Sequence, residues 1–437
     1  MTSRPASRFA ALTPSLFFAA FLVLAGCATQ TPGPVGPISS GKPRVDPVPS
    51  DGSEPIDTAD TGIDGASDIA DTVPGEGYTP PHMAGRALIR AGVMLPFSHP
   101  NASIRAEAEG MLAGIELALF DHAGDSFVIL PKDTRGAAAS ATLMAEELAE
   151  QGADMVLGPL FGANVTATRD VLASDGVPII SFSNDSTIAG GGAWLARISP
   201  ESEVAEIISY ASLHGYDQFA FFGPQSALGQ KIERTMQYEV ARNGGFMINS
   251  AFYPASTVSP DIEAEYFAKS VAQAVNSGAR VAVLVPERGT RLRRIAPLLA
   301  YHGVDTRQVR MLGMGNWNDP AIWREPSLKG AWFPAPPKVE VDDFERRYQR
   351  QYGRAPSSLS AAAYDATALA IALSEDGELT TQELTNRDGF SGVNGLFRFR
   401  YDGTAERSLS IMEIDPTVES GAKEIRPAAQ SFDPSTS

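Results

Sequence analysis

The sequence has almost no cysteine, with the single thiol of Cys27 in 437 residues. One cysteine cannot form an internal disulfide or a cysteine-based zinc site. Histidine is also scarce, and the five histidines lie too far apart for metal-ligand spacing, at His82, His99, His122, His214 and His302. The sequence therefore predicts neither a metal site nor a cofactor.

Clusters of lysine and arginine are also absent, because the chain has 35 basic against 52 acidic side chains and a formal charge of −17. A nucleic-acid partner requires a concentrated basic surface, so we expect none. The sequence contains no nucleophile elbow, no complete phosphate-binding loop and no motif that pairs a nucleophile with a base. We therefore expect a protein without enzymatic activity.

The N-terminal segment has no apolar run that could span a membrane. Residues 16–25 would form a helix of about 15 Å, whereas the hydrocarbon core of a bilayer is about 30 Å thick. This run follows Arg4 and Arg8 and ends in small residues before Cys27. That order is typical of a secretory signal peptide, which we assign to residues 1–26.

The tetrapeptide Leu24-Ala25-Gly26-Cys27 resembles the bacterial lipobox, in which the cysteine thiol carries a diacylglyceryl group and becomes the mature N-terminus. The resemblance implies a periplasmic lipoprotein held to a membrane through Cys27, since two or three acyl chains anchor firmly. An Asp after the cysteine retains such lipoproteins in the inner membrane. Ala28 at this position therefore favours the outer membrane.

The segment that follows is rich in proline and glycine. Residues 28–85 contain ten prolines and nine glycines and almost no large apolar side chains. Such a composition cannot bury enough surface to offset the entropy of ordering the chain. We therefore assign residues 27–85 to a disordered tether.

From residue 86 onward, short apolar runs alternate with segments of helical spacing. The first predicted strands are residues 87–95, 126–130, 155–157, 177–181, 218–222, 246–252, 280–285 and 310–313. The predicted helices between them are residues 106–120, 137–151, 163–173, 200–213, 229–243, 262–276 and 291–301. Later helices are predicted at residues 341–352 and 359–374, and later strands at 396–400 and 408–414.

This alternation predicts an α/β fold with parallel sheets covered by helices on both faces. The pattern fits either one closed barrel or two Rossmann-like lobes. In both arrangements a ligand contacts the loops that follow the carboxyl ends of the strands.

Two segments, residues 158–166 (Gly158-Pro159-Leu160-Phe161-Gly162 onward) and 176–185 (through Ser181-Phe182-Ser183-Asn184-Asp185), resemble the type I periplasmic binding proteins that bind leucine, isoleucine and valine. The resemblance covers residues 87–415 in order. It implies two Rossmann-like lobes that close on a small ligand. The implied boundaries are residues 86–199 plus 331–400 for the first lobe, 200–330 plus 401–425 for the second, and 426–437 for a disordered tail.

A narrower set of segments is similar to the lipoprotein activators of penicillin-binding proteins, which use the same fold. The segments are residues 158–161, 182–185, 330–333 and 389–399. This resemblance implies an adaptor that stimulates a cell-wall synthase.

The chain departs from the amino-acid binders at the ligand site. In those proteins two hydroxyl side chains contact the ligand, and the aligned positions here are Gly162 and Asp185. The charge of Asp185 would repel a ligand carboxylate unless it faced the ammonium group.

Strand-end positions and the resemblance together predict the ligand-binding residues. They are Phe97, Ser98, Phe161, Gly162, Ser181, Ser183, Asn184, Asp185, Glu287, Asn316 and Trp317. Alternatives remain open for several of them. Asn184 and Asp185 could cap a helix, Trp317 could fill the hinge, and Glu287 could be a solvated charge.

Two functions follow from these observations. In the first, the protein binds a small polar ligand, such as an amino acid, and presents it to an ABC permease. In the second, the tethered lobes bind and stimulate a penicillin-binding protein. The tether, Gly162 and Asp185 favour the adaptor, whereas the length of the amino-acid-binding resemblance favours transport.

The lipobox assignment predicts the behaviour of Cys27→Ser. The variant lacks the thiol that is alkylated, so we expect no incorporation of labelled palmitate and transfer of the protein from the membrane to the soluble fraction. The unsubstituted chain, fractionated in parallel, is the control. Membrane retention of the variant would contradict the assignment.

Overall fold

The computed structural model describes residues 83, 85, 87–124, 126–374 and 379–432. The predicted signal peptide, Cys27 and nearly all of the predicted tether lie outside the described residues, as do residues 433–437 of the tail. Among the described segments, no helix combines the length and the apolar character needed to cross a bilayer.

The described chain contains fifteen strands. In chain order they are β1 Ile89–Leu95, β2 Phe127–Asp133, β3 Met155–Leu157, β4 Ile179–Ser181, β5 Ala193–Leu195, β6 Gln218–Gln225, β7 Phe246–Pro254, β8 Val281–Leu284, β9 Arg310–Leu312, β10 Trp332–Ala335, β11 Phe390–Gly392, β12 Gly395–Phe399, β13 Ala405–Arg407, β14 Ser410–Ile414 and β15 Ala422–Arg426.

Ten α-helices separate or flank these strands in the described segments. They are α1 Ala102–His122, α2 Ala138–Glu150, α3 Gly162–Leu172, α4 Pro200–Leu213, α5 Ala227–Arg242, α6 Asp261–Asn276, α7 Gly289–Tyr301, α8 Lys338–Tyr352, α9 Ser358–Ser374 and α10 Thr381–Leu384. Helix α4 shows how local sequence sets a boundary, because the Ser199 hydroxyl accepts a hydrogen bond from Ser202 N at 3.1 Å and Pro200 occupies the first turn.

The strands form two open sheets and one small sheet. The first sheet is wholly parallel, in the order β2-β1-β3-β4-β5. The second has the order β15-β14-β10-β9-β8-β6-β7, with β14 antiparallel to both of its neighbours, β10 and β15, and the other pairs parallel. The third contains β11, β12 and β13. The prediction of an α/β fold with two lobes is therefore confirmed, and the closed-barrel alternative is wrong.

Each large sheet carries apolar packing on both faces. In the first lobe, α1 and α9 cover one face and α2 and α3 the other. In the second lobe, α6 and α7 cover one face and α4 and α5 the other. A Cβ at Gly114 would overlap the backbone carbonyl of Ser360, so glycine permits the close approach of α1 to α9.

Within the described residues, three short segments between consecutive elements connect the lobes, at residues 196–199, 336–337 and 408–409. After β15 the chain returns to the first lobe once more, where the Arg398 guanidinium lies 4.3 Å from the centre of the Phe432 ring. The lobe boundaries therefore differ from those expected from the sequence. Strand β10 pairs with β9 and β14 of the second sheet, so the return to the first lobe follows residue 335 and not residue 330. Strand β13 pairs with β12, and Ala405 packs in the core of the first lobe, so the final crossing follows Arg407 and not Arg400.

A buried ion pair lies where the third sheet meets these crossings. Asp365 of α9 accepts hydrogen bonds from Val393 N at 2.6 Å and from the backbone and side-chain nitrogens of Asn394 at 3.0 Å. Arg407 lies 4.0 Å from the same carboxylate and donates to the carbonyl of Ala196 in the first crossing. Burial raises the pKa of Asp365 and lowers that of Arg407 to about 10.

Asp365→Asn keeps the size of the side chain but leaves the guanidinium of Arg407 buried without a counter-charge. Breaking a buried pair in this way is strongly destabilising, so we expect the free energy of unfolding to fall by about 3 kcal/mol. Urea denaturation followed by tryptophan fluorescence measures this change. The exposed Asp388→Asn is the matched control, and a loss below about 1 kcal/mol in the Asp365 variant would contradict the account.

Candidate ligand site between the lobes

A cavity of about 1110 Å³ lies between the two lobes. The first lobe contributes the loops that follow β4 and β5 and the turn between β12 and β13. The second lobe contributes α4 and α5. The cavity is large enough to enclose a small organic ligand, for which pockets typically measure about 300–1000 Å³.

The facing edges of the lobes make direct contact beside this cavity. Ser186, in the loop after β4, donates its hydroxyl proton to Glu201 of α4 at 2.8 Å. Lys231 of α5 binds the same carboxylate oxygen at 2.8 Å. The carboxyl edge of the first sheet therefore faces the N-terminal half of α5, which follows the carboxyl end of β6 in the second sheet.

The acidic residues that line the cavity already have partners. Their closest described partners are Lys231 for Glu201, Arg426 for Glu206, Arg242 for Glu239, Arg398 for Glu406 and the Thr404 hydroxyl for Asp402. Basic side chains thus neutralise the four glutamates of the lining, and the Thr404 hydroxyl donates a hydrogen bond to the Asp402 carboxylate.

Two arginines of the lining, Arg197 and the exposed Arg234, form neither a hydrogen bond nor an ion pair with the described residues. Arg197 follows β5 and is half-buried. Burial lowers its pKa, and the more distant charges of Glu107 and Glu203 oppose that effect. A half-buried guanidinium without a direct partner is costly, so the cavity favours a ligand with an anionic group.

Glu203 of α4 is a carboxylate whose pKa is raised to near neutrality. Its carboxylate accepts a hydrogen bond from Gly315 N at 3.0 Å, at the carboxyl end of β9. Burial raises its pKa to about 7, while the Gly315 hydrogen bond and the charge of Arg197 oppose the rise. Its charge therefore changes near physiological pH.

Two of the residues predicted to bind ligand, Ser183 and Asn184, line the cavity. Ser183 is buried and Asn184 is exposed. Behind them, the buried Ser181 donates to the carbonyl of Pro159 at 3.0 Å and accepts from Ser183 N at 3.0 Å. Ser181 thus links the loops that follow β3 and β4 through hydrogen bonds. Ligand contact by Ser183 and Asn184 remains a prediction.

Asp185 caps the short 3-10 helix Ser186–Ile188, as one of the alternatives anticipated. Its carboxylate accepts from Thr187 N at 3.0 Å and from the Thr187 hydroxyl at 2.7 Å, and the hydroxyl contact is the main cause of its lowered pKa. Its other oxygen lies 3.4 Å from the position that a Cβ on Gly162 would occupy. A fixed negative charge therefore lies beside the N-terminus of α3.

Phe97, Ser98 and Phe161 also follow strands of the first sheet, but they do not line the interlobe cavity. Phe97 packs against the core of the first lobe. Ser98 is bound through its backbone and hydroxyl to Asp133. The Phe161 ring lies 5.8 Å from that of His99. These residues form a separate rim on the same edge of the sheet.

The three residues predicted in the second lobe do not line the cavity either. Trp317 is fully buried in the core of that lobe and donates its indole proton to the carbonyl of Glu287 at 2.8 Å. The Glu287 carboxylate accepts from the Tyr253 hydroxyl at 2.7 Å and pairs with Arg291 at 3.0 Å, so it is already engaged. Asn316 is exposed beside them.

Arg197, Ser199 and Ser202 also line the cavity, and the sequence patterns did not predict them. All three follow β5, a three-residue strand that was not predicted. A signal was present, since Ala193-Trp194-Leu195-Ala196 is a short apolar run that ends at a basic residue. Across the segments that the structure describes, no group of histidine, cysteine, aspartate and glutamate side chains could hold a metal ion.

Comparison with known proteins identifies the family to which the chain belongs. The sequence model described as "Periplasmic binding protein" matches residues 88–422. The chain belongs to the periplasmic binding protein family. No curated protein matches the sequence significantly.

Solved structures share the fold of this periplasmic binding protein. A putative branched-chain amino acid ABC transporter protein from Rhodospirillum rubrum is 17% identical, with a TM-score of 0.66 over 77% of this chain and 100% of its own. A leucine binding protein from Thermotoga maritima is 16% identical, with a TM-score of 0.53 over 80% and 100%. A solute binding protein from Rhodopseudomonas palustris, in complex with 3,4-dihydroxy benzoic acid, is 14% identical, with a TM-score of 0.54 over 80% and 100%.

The periplasmic binding protein family accounts for the geometry described above. Two lobes joined by three crossings, with a cavity between them, form the substrate-binding fold of ABC transport systems. Family membership also indicates a periplasmic location.

The pKa of Glu203 predicts a pH dependence of stability. Its value of about 7 exceeds the ordinary 4.5, so the folded chain binds this proton more tightly than the unfolded chain. The stability that the protonated form contributes is complete below about pH 4.5 and is lost as pH rises through about 7, by up to about 3 kcal/mol. Glu203→Gln should flatten this slope.

Urea denaturation at about pH 5 and about pH 8 measures the slope for each variant. Glu109→Gln, at an exposed position of α1, is the matched control and should keep the slope of the unsubstituted chain. An unchanged slope in Glu203→Gln would contradict the assignment of the titration to this carboxylate.

Proposed function

We propose that the protein is a lipid-anchored, non-enzymatic solute-binding protein of the periplasm. It holds a small organic carboxylate, such as an amino acid, in the interlobe cavity and presents it to an ABC permease. The observation that carries this proposal is Arg197, a half-buried cation that lines the cavity without a direct partner among the described residues.

The position of Asp185 directs the ligand carboxylate to Arg197. A helix N-terminus attracts anions, but the N-terminus of α3 already has the Asp185 carboxylate beside it. A second carboxylate there would be repelled. Arg197 follows β5 at the same edge of the sheet, where the Ser183 hydroxyl also lines the cavity. The Ser183 oxygen accepts from Asp185 N at 3.2 Å, which leaves its proton free to donate to the ligand.

The ligands of the similar structures have the chemistry expected here. The Thermotoga maritima protein binds leucine and the Rhodopseudomonas palustris protein holds a dihydroxybenzoate, and both ligands carry a carboxylate. These proteins do not identify the ligand of this chain. They support a test panel that contains aliphatic amino acids and benzoates.

The second candidate is the adaptor that activates a penicillin-binding protein. The position of Asp185 favours it, because its carboxylate lies beside Gly162. Gly162 aligns with the residue whose hydroxyl contacts the ligand in the amino-acid binders. The tether of residues 27–85 and anchorage of Cys27 to the outer membrane would suit an adaptor that reaches across the periplasm.

Isothermal titration calorimetry of the purified chain with this panel separates the two functions. We expect micromolar binding of at least one carboxylate. Arg197→Gln should weaken binding about 100-fold, because it removes the charged partner of a desolvated carboxylate. The exposed Arg294→Gln, on α7, is the matched control and should bind as the unsubstituted chain does.

A pull-down with penicillin-binding proteins is run on the same preparation. Carboxylate binding without synthase capture would exclude the adaptor. Synthase capture without any carboxylate binding would exclude the transport function. Equal affinity in Arg197→Gln and Arg294→Gln would remove Arg197 from the site, provided that both variants unfold at the temperature of the unsubstituted chain.

A further inference from the structure

A second cavity, of about 650 Å³, opens on the first lobe and shares no lining residue with the interlobe cavity. It lies between the end of α1, the helices α8 and α9, and the hairpin of β11 and β12. We call it the outer groove and define it by Glu340, Ala368, Leu369, Phe390 and Ser391. The solute-binding function makes no use of it.

The floor of the outer groove is apolar. Leu369 and Phe397 are buried members of the core of the first lobe, and the Phe390 ring lies 5.8 Å from that of Phe397. Ala368 and Ala372 of α9 add small side chains that leave the space open. Such a floor can accept one or two apolar side chains of a ligand.

One wall of the outer groove is the edge of a β-sheet. Strand β11 pairs with β12 on one side, and within the described residues no strand pairs with its other side. Ser391, in the middle of β11, is exposed. An exposed strand edge carries backbone N–H and C=O groups that can pair with an added extended segment.

The opposite wall is acidic. Arg347 of α8 pairs with Asp343 at 3.1 Å and with Asp121, so its charge is compensated. Glu340 lies one turn before Asp343 and forms no hydrogen bond or ion pair with the described residues. The His122 ring forms a hydrogen bond of 2.9 Å with the Tyr364 hydroxyl. The uncompensated charge at the outer groove is therefore negative.

We propose that the outer groove binds an extended segment of a partner protein. The segment adds a strand to the free edge of β11, places an apolar side chain over Leu369 and Phe390, and presents a basic side chain to Glu340. Each part of this recognition uses a different feature of the groove: backbone pairing, apolar burial and charge complementarity.

A random nonapeptide library displayed on phage, selected against the purified chain, tests this proposal. We expect enriched peptides that alternate apolar and polar residues and carry net positive charge. An enriched peptide, synthesised with a fluorescein label, is then titrated by fluorescence anisotropy. Ala368→Trp fills the groove and should weaken binding at least tenfold. Glu340→Gln should weaken it about twofold to fivefold and reduce its salt dependence.

Glu345→Gln, at an exposed position of the same helix, is the matched control and should leave the affinity unchanged. Arg197→Gln should also leave it unchanged, which separates this site from the interlobe cavity and its proposed function. Failure to enrich any peptide, enrichment of acidic peptides, or peptides that bind Ala368→Trp as tightly as the unsubstituted chain would each overturn the proposal. Thermal unfolding of Ala368→Trp verifies that the variant is folded.

Discussion

The two-lobed arrangement depends on the buried pair of Asp365 and Arg407. Arg407 is the last residue of β13, next to the crossing at residues 408–409, and its guanidinium donates to the carbonyl of Ala196 in the first crossing. The Asp365 carboxylate accepts hydrogen bonds from the turn between β11 and β12. One ionic contact therefore connects a helix of the first lobe with two of the three connections between the lobes. Because an unpaired buried charge is much more costly than an apolar gap, this pair restricts how the hinge can be assembled.

The chemistry of the interlobe cavity follows from the distribution of charge around that hinge. The acids of the lining are bound to nearby basic or hydroxyl groups, whereas Arg197 lies in the lining without a direct partner among the described residues. Asp185 holds a negative charge at the N-terminus of α3, so the usual anion position is occupied by the protein itself. Together, these charges predict that a ligand carboxylate contacts Arg197 and not the N-terminus of α3. Such a contact is compatible with membership of the family and with a ligand preference that differs from that of the amino-acid binders.

The sequence patterns predicted the long helices and strands but missed several of the strands that span only three or four residues. Periodicity predicted α4 at both of its ends, because Ser199 and Pro200 mark the start and the buried face runs from Val204 to Ala211, within one turn of the end. Strands β5, β10 and β13 span three or four residues, and they are strands only because a neighbouring strand pairs with them. The apolar run Ala193-Trp194-Leu195-Ala196 marks β5, but a run of that length does not by itself distinguish a strand from a loop. Since Arg197 follows β5, the missed strand also hid a central residue of the site.

Glu287 and Trp317 follow predicted strands and were therefore expected near the carboxyl edge of the second sheet, but a position in the sequence does not determine the direction of a side chain. Trp317 is buried in the core and Glu287 is bound by Tyr253 and Arg291, contacts made by residues distant in sequence.

The most direct test of the central claim is a crystal structure of the chain with a carboxylate ligand selected by calorimetry. The account predicts the ligand carboxylate within hydrogen-bond distance of the Arg197 guanidinium. A carboxylate bound at the N-terminus of α3, with Asp185 displaced, would contradict it.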